Sequence, residues 1–329
     1  MDKRTLVISD PDLVHEVLVK QYDNFYGRKT NPIDGDPDKD KRINLFNAQG
    51  FRWKRLRAIS SPTFSNGNLR KLKDTVEDCA IELLRHIEEQ TAGGQQIDML
   101  EFYQEFTLDV IGRLAMGQIG SQQFRNPMLK HVKAVFGENR TKSTFLIGGI
   151  VPAFAQFFRF FMLKLPRSGQ RVSGPEISFD QLTKLKYLDC VIKETLRLYP
   201  LATLGNSRKC MRATQLGNVS IEPGTMIQVD TWTVHTDPSI WGADAESFRP
   251  ERWEGSTEQH KSGGYIPFGL GPRQCIGMRL AYMEEKLLLA HLLRKYTFQP
   301  GARTRIPLKL VGRATTQPDS VWMHLKARE

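Results

Sequence analysis

The chain has 329 residues, with 47 Lys+Arg against 36 Asp+Glu and a formal net charge of +11. Apolar residues at 40% and charged residues at 25% sit near the globular average, which excludes a mostly disordered or fibrous chain. Four cysteines are too few for a disulfide scaffold and favour a reducing compartment, while the basic excess calls for an acidic partner such as nucleic acid, an anionic membrane or an acidic protein.

In chain order, Leu6, Val7 and Ile8 read as a short strand, and Asp10-Pro11 as a helix start with Asp10 as N-cap and Pro11 at the first helical position. No apolar core of a signal peptide interrupts residues 1–20. Residues 28–50, with Asn31-Pro32, Asp34-Gly35 and Asp36-Pro37, form a polar loop. A basic helix follows from Phe51 to about Ala58. Leu69, Leu72, Val76, Ala80, Leu83, Leu84 and Ile87 recur at spacings of three and four, which predicts a long amphipathic helix over 68–91, ended by Gly93-Gly94. Further helices are predicted over 100–117 and 127–137. Residues 145–163 carry one charge, Arg159, and would pass a hydropathy scan for a membrane span. Gly148, Gly149 and Pro152 disfavour a straight spanning helix there, so a buried or interface-dipping segment is expected. Residues 166–180 are linker-like, and 180–199 form one helix stopped by Pro200. Residues 219–229 alternate on both sides of Pro223-Gly224, which predicts a β-hairpin. Residues 254–275 are loop, 277–296 a strong helix, and 307–311 strand-like. The fold class is therefore mainly α with small β-sheets, and no internal repeat is present.

The chemistry concentrates in residues 267–277, a glycine-rich loop that presents Cys275 just before a helix. The helix N-terminus and Arg273 both lower a thiol pKa, and Gly269, Gly271 and Gly277 let backbone N–H groups approach the sulfur. A thiolate held this way is a nucleophile or a metal ligand. No histidine stands close by for nucleophilic catalysis, His291 being far along the helix, and Cys79, Cys190 and Cys210 are too scattered for a zinc site.

The spacing Phe268-x-x-Gly271-x-Arg273-x-Cys275-x-Gly277 resembles the haem-binding signature of the cytochromes P-450, whose iron is held by a cysteine thiolate. Supporting elements follow in the family's order. Glu194-x-x-Arg197 looks like the family's Glu-x-x-Arg helix, and Arg252, in Phe248-Arg-Pro-Glu-Arg-Trp253, matches the arginine that completes a structural Glu/Arg network. Trp53-x-x-x-Arg57 looks like the helix that offers an indole N–H and a guanidinium to a haem propionate, with Arg273 as another propionate partner and Arg208 as a third candidate. His235, in His-x-Asp-Pro, fits a family turn and reads as structural.

The resemblance implies a cytochrome P-450-like fold of the animal microsomal type, near the branch of the xenobiotic oxidisers. It implies haem b with Cys275 as iron ligand, a lipophilic small-molecule substrate, and an NADPH-dependent cytochrome reductase docked on the basic face of Arg52, Lys54, Arg55 and Arg57, with Arg70, Lys71 and Lys73 nearby in sequence. Endoplasmic-reticulum membrane localisation is implied too; without the family's N-terminal anchor, attachment would be peripheral through 145–163, or the chain cytoplasmic. Nucleic-acid binding is set aside, since no aromatic interleaving or finger spacing accompanies the charge. The chain departs from the pattern at one place above all: it has no Ala/Gly-Gly-x-Asp/Glu-Thr motif, and Ala92-Gly93-Gly94-Gln95 lacks both the acid and the alcohol. In the family that motif lies on a central helix over the distal haem face and delivers protons to bound oxygen. Residues 1–329 are accordingly expected to be a single incomplete domain with an internal deletion near 168–174, of roughly ninety residues, enough for several helices. The expected function is a haem-thiolate monooxygenase of doubtful competence. The alternatives are a non-catalytic haem-binding remnant and a haem-thiolate isomerase or peroxide-using enzyme.

Overall fold

In the computed structural model the described residues are 4–28, 37, 39–40, 43–136, 176–255, 263–312 and 315–328. The apolar segment 145–163 and the junction 168–174 lie outside them. Strand β1 (Thr5–Ile8) leads into helix α1 (Pro11–His15), which continues as a π-helical turn over Glu16–Lys20. Helices α2 (Gly50–Ser60) and α3 (Asn66–Thr91) follow, then β2 (Ile97–Asp98), α4 (Met99–Ala115) and α5 (Met128–Phe136). The second half contains α6 (Phe179–Lys184), α7 (Lys186–Leu198), β3 (Arg208–Lys209), β4 (Thr214–Leu216), β5 (Val219–Ile221), β6 (Met226–Val229), α8 (Thr231–Thr236) and α9 (Pro238–Trp241). After the loop come α10 (Met278–Lys295), β7 (Tyr296–Gln299), β8 (Leu310–Val311), β9 (Gln317–Pro318) and β10 (Trp322–Ala327). The mainly helical fold with small sheets is as the sequence predicts.

The local rules behind these elements are visible at their ends. The Asp10 carboxylate accepts the N–H groups of Asp12 and Leu13 at 2.8 and 3.0 Å, and Pro11 occupies the first turn, where its missing N–H is not needed. Helix α3 buries Leu69, Val76, Ala80, Leu83 and Ile87 along one stripe, and Gly94 beyond it takes a φ of +72°. Ser178 and Gln181 close a reciprocal capping box at the start of α6.

Two predictions need correction. Residues 180–199 are two helices, broken at Leu185, whose ψ of 65° leaves the helical region; no Gly or Pro marks the break in the sequence. Residues 219–229 do not form a hairpin with itself. β5 pairs antiparallel with β4 across Gly217-Asn218, while β6 runs parallel to β1, with Thr5 opposite Met226 and Ile8 opposite Val229, and antiparallel to β3. The Pro223-Gly224 turn carries the chain from one sheet to another. The Gly224 N–H donates to the Cys210 carbonyl at 2.8 Å instead of closing a β5–β6 ladder.

The chain divides into two compact units. The first, Met1–Ser65, Ala202–Ser247 and Gly255–Met278, holds the sheet β1-β6-β3 and a core of Ile8, Val14, Val17, Leu18, Phe25, Ile227, Val234 and Ile266. The second, Asn66–Leu201, Phe248–Glu254 and Arg279–Glu329, holds α3, α4, α7 and the sheet β2-β10-β7. There Asp98 caps α4 through the Leu100 N–H at 3.1 Å and also accepts the Val321 N–H at 2.7 Å, which ties the helix start to the C-terminal strand.

Candidate cofactor site

The cysteine loop belongs to the first unit and is shaped by its glycines. Gly269 and Gly271 have φ of +74° and +70°, and a Cβ on Gly271 would lie 2.1 Å from the Leu18 carbonyl oxygen, so the loop can pass that close to the helical turn only without a side chain. The Cys275 N–H donates to the Phe268 carbonyl at 2.8 Å, which closes the turn between the signature's aromatic and its cysteine. The Gly277 and Met278 N–H groups at the start of α10 donate toward the sulfur. Cys275 is the exposed cysteine among four free ones: packed from behind, its side chain keeps an open face.

The electrostatics of this sulfur differ from the sequence expectation. Burial of its rear pushes the thiol pKa up, and the two N–H donors and the Arg57 guanidinium, which pull it down, do not outweigh that. The nearby cation is Arg57, not Arg273. Arg57 is half-buried, and its own pKa is lowered by desolvation against the opposing pull of Cys275. Arg273 turns away: it is buried, stacks 4.5 Å from the centroid of the Trp53 ring, and donates to the carbonyls of Ala48 at 2.7 Å, Tyr26 at 3.1 Å and Phe46 at 3.2 Å. Trp53 and Arg57, four residues apart on α2, thus reach the loop by different partners.

Among the described residues of this unit, Arg273 is one of three buried guanidiniums. Arg28 is 5% exposed and Arg208 1%. Arg28 stacks on Phe46 at 4.3 Å and donates to the Gly205 carbonyl, and Arg208 donates to the Ser207 carbonyl at 2.9 Å. Their electrostatic influences reach one another, and no carboxylate pairs with any of them among the described residues. The Nε–H of each has no acceptor. Burial and mutual repulsion hold Arg28 far below the usual arginine range and bring Arg208 down to about 9. Clustered cations stripped of water and left without counter-charge are a strongly unfavourable arrangement unless an anion completes them. A group with two carboxylates beside a thiolate-bound iron has that complementarity, so the residues present fit a haem. Arg28 was not legible in the sequence. It stands at the edge of a polar loop, and only the fold brings it to Arg208 and Arg273.

The remaining signature residues fall into a structural role in the second unit. Glu194 is completely buried and receives Arg197 Nε and Nη2 at 2.8 Å each, Arg252 Nε at 3.0 Å, the Trp253 indole N–H at 3.0 Å and the Arg249 N–H at 2.9 Å. Burial raises the Glu194 pKa, but Arg197, the Arg249 N–H and Arg252 prevail and the net shift is downward. In the first unit His235 is fully buried, its Nε2 accepting the Ile266 N–H at 2.9 Å, which holds the segment entering the cysteine loop. The basic face is narrower than the sequence implies. Arg70 pairs with Asp180 at 2.7 Å, and Lys73 is buried against Glu77 at 2.6 Å, so neither is free for a partner; Lys54 and Arg55 are exposed on α2. Among the described residues no helix is long and apolar enough to cross a membrane.

Comparison with known proteins decides what this arrangement belongs to. The family description "Cytochrome P450" matches residues 1–172 and, separately, 164–321. The chain belongs to the cytochrome P450 family. Two Caenorhabditis elegans proteins illustrate its relatives. The one named "Putative cytochrome P450 CYP13A10" is 52% identical over 444 aligned positions, covering 99% of this chain and 85% of the relative. "Putative cytochrome P450 CYP13A1" is 50% identical over 443 positions, with the same coverage of both. At the level of the family this makes the chain a haem-thiolate oxidoreductase of the monooxygenase class.

Proposed function

We propose that this P450 binds haem b with Cys275 as iron ligand and uses it to oxidise a lipophilic small molecule. The carrying observation is the group of buried guanidiniums, Arg28, Arg208 and Arg273, that has no paired carboxylate among the described residues. Haem propionates supply two negative charges and four acceptor oxygens to such a cage. Haem bound there supplies oxygen activation, its thiolate ligand favouring O–O cleavage. The chain contributes the rest. Cys275 offers its open face, and the N–H groups of Gly277 and Met278 and the Arg57 guanidinium stabilise the sulfur's negative charge. Coordination to a cation displaces the thiol proton, so the raised pKa of the haem-free cysteine weakens loading at lower pH and favours it at higher pH. Phe268 and the Gly269–Gly271 turn hold the loop, Trp53 and Arg273 brace each other, and Glu194, Arg197 and Arg252 fix the second unit.

An NADPH-dependent cytochrome reductase docked on Arg52, Lys54 and Arg55 would supply the electrons. The family reaction then needs protons from the distal side, and the acid-threonine motif for them is missing from the sequence. A deletion near 168–174 accounts for that. It is supported by the two family matches that overlap at 164–172 and by an alignment of 444 positions against 329 residues. This favours a second reading, a haem-thiolate isomerase or peroxide-using enzyme, or a remnant that binds haem without turnover. The localisation that goes with the monooxygenase reading is the endoplasmic-reticulum membrane, with residues 145–163 as a peripheral contact.

The test is spectroscopic first. The purified chain supplied with hemin, then reduced and exposed to carbon monoxide, is expected to give the red-shifted Soret band of thiolate-ligated haem, and Cys275→Ala is expected to lose it. A band that survives the substitution rejects Cys275 as ligand. Turnover with reductase and NADPH, set beside turnover with peroxide, then separates the two enzymatic readings, and neither occurring leaves the remnant.

A further inference from the structure

The three arginines have a fourth neighbour that the sequence did not single out. Tyr22 follows the π-helical turn after α1, and its ring is buried against Ala48 and against Trp53, centroid to centroid 5.7 Å. The Arg273 guanidinium reaches the phenol oxygen loosely, short of a well-formed hydrogen bond, and no acceptor for the phenol hydrogen lies among the described residues. Buried phenols ordinarily find one, because an unmade hydrogen bond leaves the full desolvation penalty in place. The polar groups that reach it are the guanidiniums of Arg273 and Arg208, with the exposed Asp23 acting more weakly. Guanidiniums are donors only. The phenol oxygen can accept from them, but its hydrogen has nothing to donate to. Burial pushes the phenol pKa up against the pull of Arg273 and Arg208, so at neutral pH it keeps that hydrogen.

We infer that the Tyr22 hydroxyl is a direct hydrogen-bond donor to a carboxylate of the group held by Arg28, Arg208 and Arg273, and so a haem-binding residue of this chain. The inference rests on the haem reading above and adds a residue to it. A neutral donor suits this place: three guanidiniums already exceed the charge of two propionates, so a further cation would add repulsion where a phenol adds only a hydrogen bond. Trp53 fixes the geometry, since the Tyr22 ring packs against the same indole on which the Arg273 guanidinium stacks.

The experiment compares the full chain with Tyr22→Phe, each loaded with hemin or with hemin dimethyl ester, and follows haem loss to excess apomyoglobin. With hemin, Tyr22→Phe is expected to lose haem about tenfold faster. With the ester, which carries no carboxylate, that difference is expected to shrink below about threefold. Tyr22→His, which keeps a ring donor, is expected to recover part of the retention of hemin but not of the ester. Equal loss rates with hemin overturn the inference, as does a tenfold difference that persists with the ester, which would mark a packing role. Haem-free Tyr22→Phe is expected to melt close to the parent chain, because the hydroxyl it removes makes at most a loose contact with Arg273 and has no acceptor for its hydrogen among the described residues. If the parent chain itself takes up no hemin, the haem reading fails and the inference with it; if the parent holds thiolate-bound haem and Tyr22→Phe holds it equally, only the inference fails.

Discussion

Glu194 in the second unit and Arg208 in the first are both almost wholly removed from water, at 0% and 1% exposure, yet only one of them is answered. Around Glu194 every oxygen is engaged: two guanidiniums, an indole and a backbone N–H converge on a single carboxylate. Around Arg208, among the described residues, the charges that act are Arg28 and Arg273, of the same sign, and the acceptors it meets are backbone carbonyls. A closed network of the first kind makes sense as structure, since it specifies how a helix meets the Pro250–Trp253 turn and needs nothing else. An open one of the second kind makes sense only with something bound. The chain therefore contains two kinds of buried charge, and what tells them apart is whether the described residues satisfy them without a ligand.

Removal of Glu194 carries the largest expected effect. Glu194→Ala takes from the buried Arg197 and Arg252 the carboxylate they share, and the expected loss is roughly 3–5 kcal/mol, enough to abolish cooperative unfolding in a marginal domain. Denaturant titration of the haem-free chain checks it, and a loss below 1 kcal/mol would show that the network is dispensable. Arg208→Met is expected to act with the opposite sign on the haem-free chain: removing an unanswered buried charge leaves stability unchanged or raised, while hemin affinity drops about tenfold to a hundredfold. Calorimetric melting and hemin titration of the same variant measure both. Burial, with the Arg273 guanidinium, opposes the charge that Arg208 carries in the folded chain, so the stability advantage of Arg208→Met over the haem-free parent is expected to be present at neutral pH and to be removed by hemin loading.

The contrast also explains what the sequence made legible. Helices α3 and α10 and the cysteine loop were readable because their signals are local: an apolar stripe, paired glycines, a fixed spacing before a helix. The Glu194 and Arg197 pair was readable for the same reason, being three residues apart on one helix. The supposed 219–229 hairpin was not, because β6 takes as its partner Thr5–Ile8, more than two hundred residues earlier, and no local turn signal reports that choice. Arg28 and Tyr22 stayed invisible for a related reason. Each is an ordinary residue at the start of a polar stretch, and only the fold sets them beside Arg208 and Arg273. The Cys275 thiol was misjudged in sign. The helix start and the neighbouring arginine are local and argue for a low pKa, whereas the packing behind the sulfur, which wins, is assembled from distant segments.

A third buried cluster lies between the two extremes and sharpens the rule. Glu77 on α3 receives Lys73 Nζ at 2.6 Å, His291 Nε2 from α10 at 2.8 Å and the Ile177 N–H at 2.8 Å, so one carboxylate joins a helix turn, a second helix and the segment before α6. It is satisfied like Glu194, and Lys73 also touches the exposed Asp74 at 3.1 Å, so removal of the carboxylate leaves that cation an ion-pair partner. Burial raises the Glu77 pKa, and Lys73, the Ile177 N–H and His291 bring the net shift below the usual range. A carboxylate with a depressed folded pKa contributes stability that is present above its unfolded pKa of 4.5 and lost as pH falls through the folded value. His291 adds to the same limb: burial lowers its pKa against the opposing pull of Glu77, so protonation below pH 6.5 favours the unfolded chain. Glu77→Gln is therefore expected to cost roughly 1–2 kcal/mol at neutral pH, less than Glu194→Ala, and to flatten the acid limb below about pH 4.5 while leaving the His291 portion in place. Urea unfolding of the haem-free chain from pH 3.5 to 7.5 measures both. A loss as large as that of Glu194→Ala would mean that backup pairing, such as Asp74 provides for Lys73, does not soften the removal of a buried carboxylate.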